Sequence, residues 1–502
     1  MLLLGIDVGT SSIKVSVVDA ATGQAVASAQ YPETETGITA LQPGWAEQSP
    51  EMWWLHVQEA ILKANATRKY DPKNIGAIGI AYQMHGLVLV DKDQKVLRDS
   101  IIWCDSRAVN LGNKAFQTIG EEWCLSHLLN SPGNFTASKL AWVKENEPAV
   151  FEKIHQVLLP GDFIAMKLSG QTTTTISALS EGIFWDFKNH ELSKEVFSHY
   201  GFDTSLIPEI KNVFTTHGLL KEDVAAILSL KANIPVAYKA GDQQNNALSL
   251  NVLQPGEVAA TAGTSGVIYS VSCSLAYDQQ SRVNSFAHVN HTAEQNRIGI
   301  LLCINGTGIM NSWIKNITGN QLNYPQMNEA AKNIPPGSDG LSILPFGNGA
   351  ERMLNNQTIQ AHLQNIDLNK HTAAHIFRAG QEGIAFSFRY GLDIMRENGL
   401  RPSVIRAGKA NLFLSEVFAQ AFVNTTNTPV ELYDCDGSVG AAIGAGLGAN
   451  IYSNEKEAFV NMKRLQLIEP KEVKLYDELY LAWKQLLQQK IKEPRLIKYK
   501  NK

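Results

Sequence analysis

A chain of 502 residues exceeds what one hydrophobic core organises, which predicts two domains with a small-ligand cleft between them. Apolar residues make up 44% and charged residues 18%, the balance of a globular protein, and a formal charge of −4 supplies no cationic footprint for nucleic acid or an anionic membrane. The scattered Cys104, Cys124, Cys273, Cys303 and Cys435 form no C-x-x-C pair, which excludes a disulfide framework or zinc knuckle and fits a reducing cytoplasm.

Met1, three leucines and Gly5 make too short an apolar run, without a basic start, for a signal peptide. No later stretch approaches the roughly 20 apolar residues of a membrane span. The opening thirty residues read as an antiparallel meander over Leu2–Ile6, Ile13–Asp19 and Gln24–Gln30, with reversals at Gly9-Thr10 and Thr22-Gly23. Met52–Ala64 has helical periodicity and Ile75–Tyr82 reads as a strand, so α/β layering is expected. The extended run Ile234–Ala240 leads into Gly241-Asp242-Gln243-Gln244 and a helix through Leu250. A second meander spans Gly256–Val271 around Gly263-Thr264-Ser265-Gly266, as the first surrounds Gly9-Thr10-Ser11-Ser12, which points to two related halves. The lobe boundary is expected near residue 246, giving lobes 1–246 and 247–502 joined by a packed hinge. Gly444-Ala445-Gly446-Leu447-Gly448-Ala449 matches G-x-G-x-x-A, but no strand directly precedes it, so close helix packing is the expectation. The tail Lys490–Lys502 reads as a solvated terminus.

Several of these residues suit phosphoryl chemistry. At Asp7-x-Gly9-Thr10 glycine lets the backbone approach a phosphate, Thr10 adds a hydroxyl donor, and the Asp7 carboxylate can face a magnesium ion through water. Gly263 and Thr264 offer the same from the second half, without any P-loop. Asp242 stands at a strand's carboxyl end and opens a helix, a position that suits a proton acceptor or, as Asp very often serves, an N-cap. His85, in the break Tyr82-Gln83-Met84-His85-Gly86, is read as a donor to a sugar hydroxyl or as a satisfied structural histidine, the commoner role of a lone one. Trp103, Asp105 and Arg107 alternate and would project from one side of an extended chain, as a polyol surface or as an Asp–Arg pair beside an edge tryptophan.

Gly5-Ile6-Asp7-Val8-Gly9-Thr10, Gln83-Met84-His85-Gly86, Ile102-Trp103-Cys104-Asp105-Ser106-Arg107, Lys139 to Asn146, Gly241-Asp242-Gln243 and Gly263-Thr264-Ser265-Gly266 recur in order across nearly the whole chain. In these segments the sequence resembles the FGGY carbohydrate kinases. The resemblance implies an α/β fold of two actin-like ATPase, ribonuclease H-like lobes with ATP and sugar in a central cleft. It implies Asp242 as the catalytic base, Asp7 as the magnesium-associated carboxylate, and Thr10, Ser11, Gly263, Thr264, Gly408 and Asn411 as nucleotide contacts. Met84, His85, Trp103, Asp242 and Gln243 fall on the sugar surface. The implied reaction phosphorylates a small open-chain sugar, with D-xylulose leading and glycerol, ribulose or gluconate as alternatives, and a nonenzymatic nucleotide-switched actin-like protein as the other class. The implied partners are the sugar, ATP and Mg2+, with a second copy of the chain as a homodimer. Three segments depart from the family pattern: Ala407-Gly408-Lys409-Ala410-Asn411 replaces Gly-Gly-Gly-Ala, Gly241-Asp242-Gln243 replaces Gly-Asp-Asn, and Gly349-Ala350-Glu351-Arg352-Met353 lacks the Thr-Pro often seen after Glu-Arg.

Overall fold

The computed structural model describes residues 1–318, 322–434 and 436–493; Cys435 and the end of the basic tail, 494–502, lie outside the described residues. The opening meander forms where alternation places it. Strands β1 (Leu2–Val8), β2 (Ile13–Asp19) and β3 (Ala25–Tyr31) pair antiparallel in succession. Helix α1 (Pro50–Ala66) begins with Pro at its first position, where a missing N–H costs nothing, and buries Trp53, Val57, Ala60, Ile61 and Ala64 at helical spacing against β2 and β3. The chain then enters β4 (Ile75–Tyr82), parallel to β1. Helices α2 (Thr136–Asn146) and α3 (Ile176–Glu181) follow, and β5 (Pro235–Gly241) pairs parallel with β4. Helix α4 (Asp242–Ser249) starts directly at the end of β5.

The second half repeats this plan. Strands β6 (Val258–Ala262) and β7 (Gly266–Ser272) form a hairpin, β8 (Asn284–Ala287) is an edge strand, and β9 (Ile298–Ile304) pairs antiparallel with β7. Helices α5 (Gly308–Ile317) and α6 (Tyr324–Lys332) lead on towards β10 (Ile405–Gly408), α7 (Glu416–Thr426), β11 (Val430–Tyr433), α8 (Gly437–Gly448) and β12 (Arg464–Ile468). The first sheet contains the order β3-β2-β1-β4-β5, and the second contains β9-β7-β6-β10-β11. In each, the first three strands run antiparallel and the last two are added in parallel. The chain is therefore built of two topologically equivalent α/β halves.

The halves are not independent. Helix α8 follows the fifth strand of the second sheet but lies against β1, β4 and β5 of the first. Only small residues allow this approach: a Cβ on Gly79 of β4 would stand 2.0 Å from the Ala441 carbonyl oxygen, and one on Gly5 of β1 would stand 1.8 Å from that of Ser438. From the helix side, a Cβ on Gly448 would stand 1.8 Å from the Ala237 oxygen, and Gly444 sits over the Tyr238 ring. The G-x-G-x-x-A run is thus a packing surface. A further core unites both halves, bringing Leu140 and Phe184 together with Tyr269, Phe286 and Leu301. Among the described residues no helix is long and apolar enough to cross a membrane.

Replacing Gly79 by valine forces branched carbons into the backbone of α8, an overpacking that costs about 1–3 kcal/mol or more. We expect Gly79→Val to lower the free energy of unfolding by that amount, seen as a lower denaturant midpoint. A midpoint equal to the parent's would show that the helix does not rest on this strand.

Candidate active site

The first cluster gathers at the carboxyl ends of β1, β4 and β5. Asp7 is the penultimate residue of β1, half-buried, and its carboxyl is raised to about 6 by burial and by the nearby Asp436 charge, against the pull of Lys14. Asp436 caps α8: its carboxylate accepts from the Ser438 N–H at 2.9 Å and is ion-paired with Lys14 of β2, which holds it below the usual carboxylate range although burial opposes this. Gly437 lets α8 start against Asp7, because a Cβ there would lie 2.3 Å from Asp7 Oδ2. Asp242 occupies the first turn of α4, and burial together with the Asp7 charge raises its carboxyl to about 7, against hydrogen bonds from Gln243. Three acids and a single lysine therefore meet at the strand ends. This excess of negative charge is the kind of site that a divalent cation neutralises. Among the described residues no group of three His, Cys, Asp or Glu forms a complete cage. Such an arrangement fits Mg2+, which keeps several waters and takes one or two carboxylates plus phosphate oxygens.

The Tyr82–Gly86 segment breaks sharply after β4, with His85 in the left-handed region at φ 62°. His85 Nδ1 lies 3.0 Å from the backbone oxygen of Glu181, an acceptor, so Nδ1 carries the proton. Burial and the Lys139 charge lower its pKa to about 3, so the ring is neutral and Nε2 is left as a hydrogen-bond acceptor. This reverses the donor role read from the sequence. Lys139, fully buried on α2, donates to the carbonyls of His85 at 2.9 Å and Ile102 at 3.0 Å, tying together the His85 and Trp103 segments. Burial lowers its ammonium to about 7, against the charge of Asp105. Met84 packs on the start of Asp242's helix: a Cβ on Gly241 would meet Met84 Cγ at 2.8 Å, Gln244 Oε1 at 2.7 Å and Glu181 Oε2 at 2.9 Å.

Trp103 is 54% exposed, with its indole N–H donating to Thr10 Oγ1 at 3.0 Å. The Thr10 hydroxyl donates in turn to Gln83 Oε1 at 3.0 Å, so its proton is directed inward and not toward an incoming phosphate. Ser11 is exposed beside it, its backbone oxygen accepting from the Thr36 N–H. Asp105 and Arg107 do not share an open face with Trp103, because residues 103–107 form turns and no strand. Arg107 forks onto Asp105 at 2.7–3.1 Å, bonds Glu47 at 2.6 Å, and lies 3.9 Å from the Trp45 ring centroid. The paired reading of these two residues is the one observed.

The second cluster lines a cavity of about 720 Å3 in the second half. Gly263, Thr264 and Asn411 border it, as do Gly308 of α5, Asn328 of α6 and Glu416 of α7. The first N–H groups of α5 are laced to the β6–β7 turn, Gly308 to the Gly263 oxygen at 2.9 Å and Ile309 to that of Thr264 at 3.1 Å. Asn411 takes the left-handed conformation at φ 53°, one that asparagine tolerates. Gly408 ends β10 but does not border the cavity. A hydrogen bond ties the clusters: Asn246 of α4 donates to Thr261 Oγ1 at 3.1 Å, two residues before Gly263.

Sequence reasoning missed Asp436, Lys14, Glu181, Gln244 and the α6 wall of the cavity. For Asp436 a signal existed, since the run Val430–Tyr433, an acid and a helix repeat the pattern of Ile234–Ala240, Asp242 and its helix. The others are brought in by distant packing and leave no local mark.

Residues 2–249 match the family model described as the FGGY family of carbohydrate kinases, N-terminal domain, and residues 258–449 match its C-terminal domain. A curated xylulose kinase of Escherichia coli is 27% identical over 463 residues, 92% of each chain. A solved structure from Brucella ovis described as a xyloylose kinase superposes with TM-score 0.86 at 26% identity, covering 97% of this chain and 99% of that one. A glycerol kinase from Plasmodium falciparum solved with ADP has the same fold, with TM-score 0.87 at 20% identity over 98% of this chain and 99% of its own. With two equivalent α/β halves, acids gathered at the strand ends and family models matching both halves, this chain belongs to the FGGY family of carbohydrate kinases.

Proposed function

We propose that this chain transfers the γ-phosphoryl group of ATP to the terminal hydroxyl of D-xylulose, giving D-xylulose 5-phosphate, with Asp242 as the base. One observation carries the reading: Asp242 stands at a strand's carboxyl end beside Asp7, with its carboxyl raised to about 7. A carboxylate of that basicity is half-ionised at neutral pH and accepts the alcohol proton as the new O–P bond forms. Met84 and Glu181, packed over Gly241, fix the start of the helix that carries it. His85 Nε2 accepts from a sugar hydroxyl, and the exposed Trp103 offers an indole face to sugar C–H groups.

The cavity bordered by Gly263, Thr264 and Asn411 suits the nucleotide, with Gly408 behind it and Thr10, Ser11 and the β1–β2 turn opposite the phosphates. Asp7 is the carboxylate that would face Mg2+, with Asp436 held beside it by Lys14. Bound there, the cation would neutralise phosphate charge during transfer. The first half then carries the acceptor and the second the nucleotide. The cysteines among the described residues are free, in keeping with a cytoplasmic setting. The choice of xylulose is supported by the names of the curated relatives and by the Met84-His85-Gly86 step. Gln243 favours a second reading, another small polyol such as glycerol, since Gly-Asp-Gln is the glycerol kinase pattern.

An ADP-release assay with ATP, Mg2+ and a panel of xylulose, ribulose, glycerol and gluconate should give the highest kcat/KM for xylulose; preference for glycerol would select the second reading. Asp242→Asn should bind sugar normally and lower kcat by about 10²- to 10⁴-fold. Undiminished turnover would remove Asp242 as the base. The same substitution has a stability signature. Because the folded pKa of Asp242 lies above its unfolded value near 4, its protonated form favours the fold; that contribution is present below about pH 4 and lost as pH rises through about 7. Asp242→Asn should therefore raise the free energy of unfolding at pH 8, by about 1–4 kcal/mol, and leave it nearly unchanged at pH 4. An equal gain at both pH values would show that the carboxyl is not strained by burial.

A further inference from the structure

Arg352 stands out as a half-buried guanidinium with no acid partner. The carboxylate beside it in sequence, Glu351, is fully buried and faces the other way, accepting from the backbone N–H groups of Asn305 at 3.1 Å and Gly306 at 3.2 Å. Among the described residues no carboxylate lies within ion-pair distance of Arg352, and burial lowers its pKa with only the Cys303 thiol in opposition. Its hydrogen bonds come from one nitrogen: Nη1 donates to Asn284 Oδ1 at 2.7 Å and, at 3.4 Å, to the Ser281 oxygen. A guanidinium carries five N–H donors, and partly desolvated donors require oxygen acceptors.

The place of this cation is specific. Its Cζ lies 5.9 Å from the Phe135 ring centroid, and Phe135 packs edge-on against His85 with ring centroids 4.8 Å apart. The charge of Arg352 is felt by His85 and by Cys303, and Cys303 in turn feels Asp242. Asn284, its hydrogen-bond partner, begins edge strand β8, which is clamped to the first half. Ser285 accepts from Asn130 Nδ2 at 2.6 Å, and Ala287 accepts from the Ser177 hydroxyl at 2.9 Å. Arg352 therefore comes from the second half yet is held at the seam, near His85 through Phe135 and on the side of Cys303.

We propose that Arg352 is a substrate-contacting residue for the acceptor sugar, donating hydrogen bonds to its carbonyl or hydroxyl oxygens and so determining acceptor affinity. The inference rests on the sugar kinase reading above and adds a contact from the second half. The chemistry is complementary: His85 Nε2 can only accept and Arg352 can only donate. Together they read a hydroxyl and an adjacent oxygen, the arrangement of a polyol or open-chain ketose. The cavity proposed above for the nucleotide, bordered by Gly263 and Asn411, does not include Arg352.

The test compares the parent chain with Arg352→Met and Arg352→Lys, using ATP, Mg2+ and the sugar that the parent phosphorylates best. Arg352→Met should raise the KM for sugar about 10- to 100-fold, the loss of a charge-assisted hydrogen bond, with ADP affinity by calorimetry unchanged. Arg352→Lys, which keeps the charge but not the fork, should fall between them. An unfolding midpoint for each variant separates loss of contact from loss of fold, and Arg352→Lys carries the test if the methionine variant is unstable. Sugar KM unchanged in both variants, or sugar and ADP affinities falling together, would overturn the assignment while leaving the kinase reading intact. A parent chain that phosphorylates no sugar would overturn both.

Discussion

The close approach of helix α8 to the backbone of the first sheet determines where everything else meets. A helix whose inward face is glycine and alanine can lie on Gly5 and Gly79 without side chains between, and this drives its N-terminus down onto Asp7. Asp436, the cap of that helix, arrives beside Asp7 from more than four hundred residues away, and Lys14 pairs with it. The site is thus a consequence of how the second half docks on the first.

The electrostatics follow from that docking. Asp7 and Asp242 end neighbouring regions of one sheet, half-buried; burial raises both, the Asp7 charge adds to the cost of ionising Asp242, and the Asp436 charge adds to that of Asp7. Left alone such a pair is destabilising, which is the expected condition of a site prepared for a cation and a proton. The two halves contribute unequally. In the first, the fifth strand ends in the acid set near neutrality, Asp242; in the second, the equivalent acid, Asp436, is neutralised by Lys14 and serves as a helix cap. Topologically equivalent positions thus have different charge partners: Asp242 keeps a raised carboxyl, whereas Asp436 is spent on an ion pair and a helix cap.

Burial also decides the hydrogen-bonding roles of the groups around His85. The neutral His85, pinned through Nδ1 to a backbone oxygen, is an acceptor because of its surroundings and not its residue type. Lys139, withdrawn from solvent, spends its donors on two backbone carbonyls and fastens the loops of His85 and Trp103 to one helix. Thr10 shows the same logic, its hydroxyl consumed by Gln83 and Trp103.

Local sequence determined the meanders, the strand leading to Asp242, and the helical packing surface at Gly444–Ala449, because alternation, turn glycines and small-residue runs act over a few neighbours. The break at His85 was legible for the same reason, and so were the turns at Gly9 and Gly263. What only the tertiary structure decided was partnership: Lys14 with Asp436, Arg107 with Asp105 and Glu47, and Glu181 with Gly241 and Met84. Proton positions on His85 and Thr10 were settled there as well. Those outcomes depend on burial and on charges from remote segments, quantities that the order of residues does not carry until the two sheets are packed against one another.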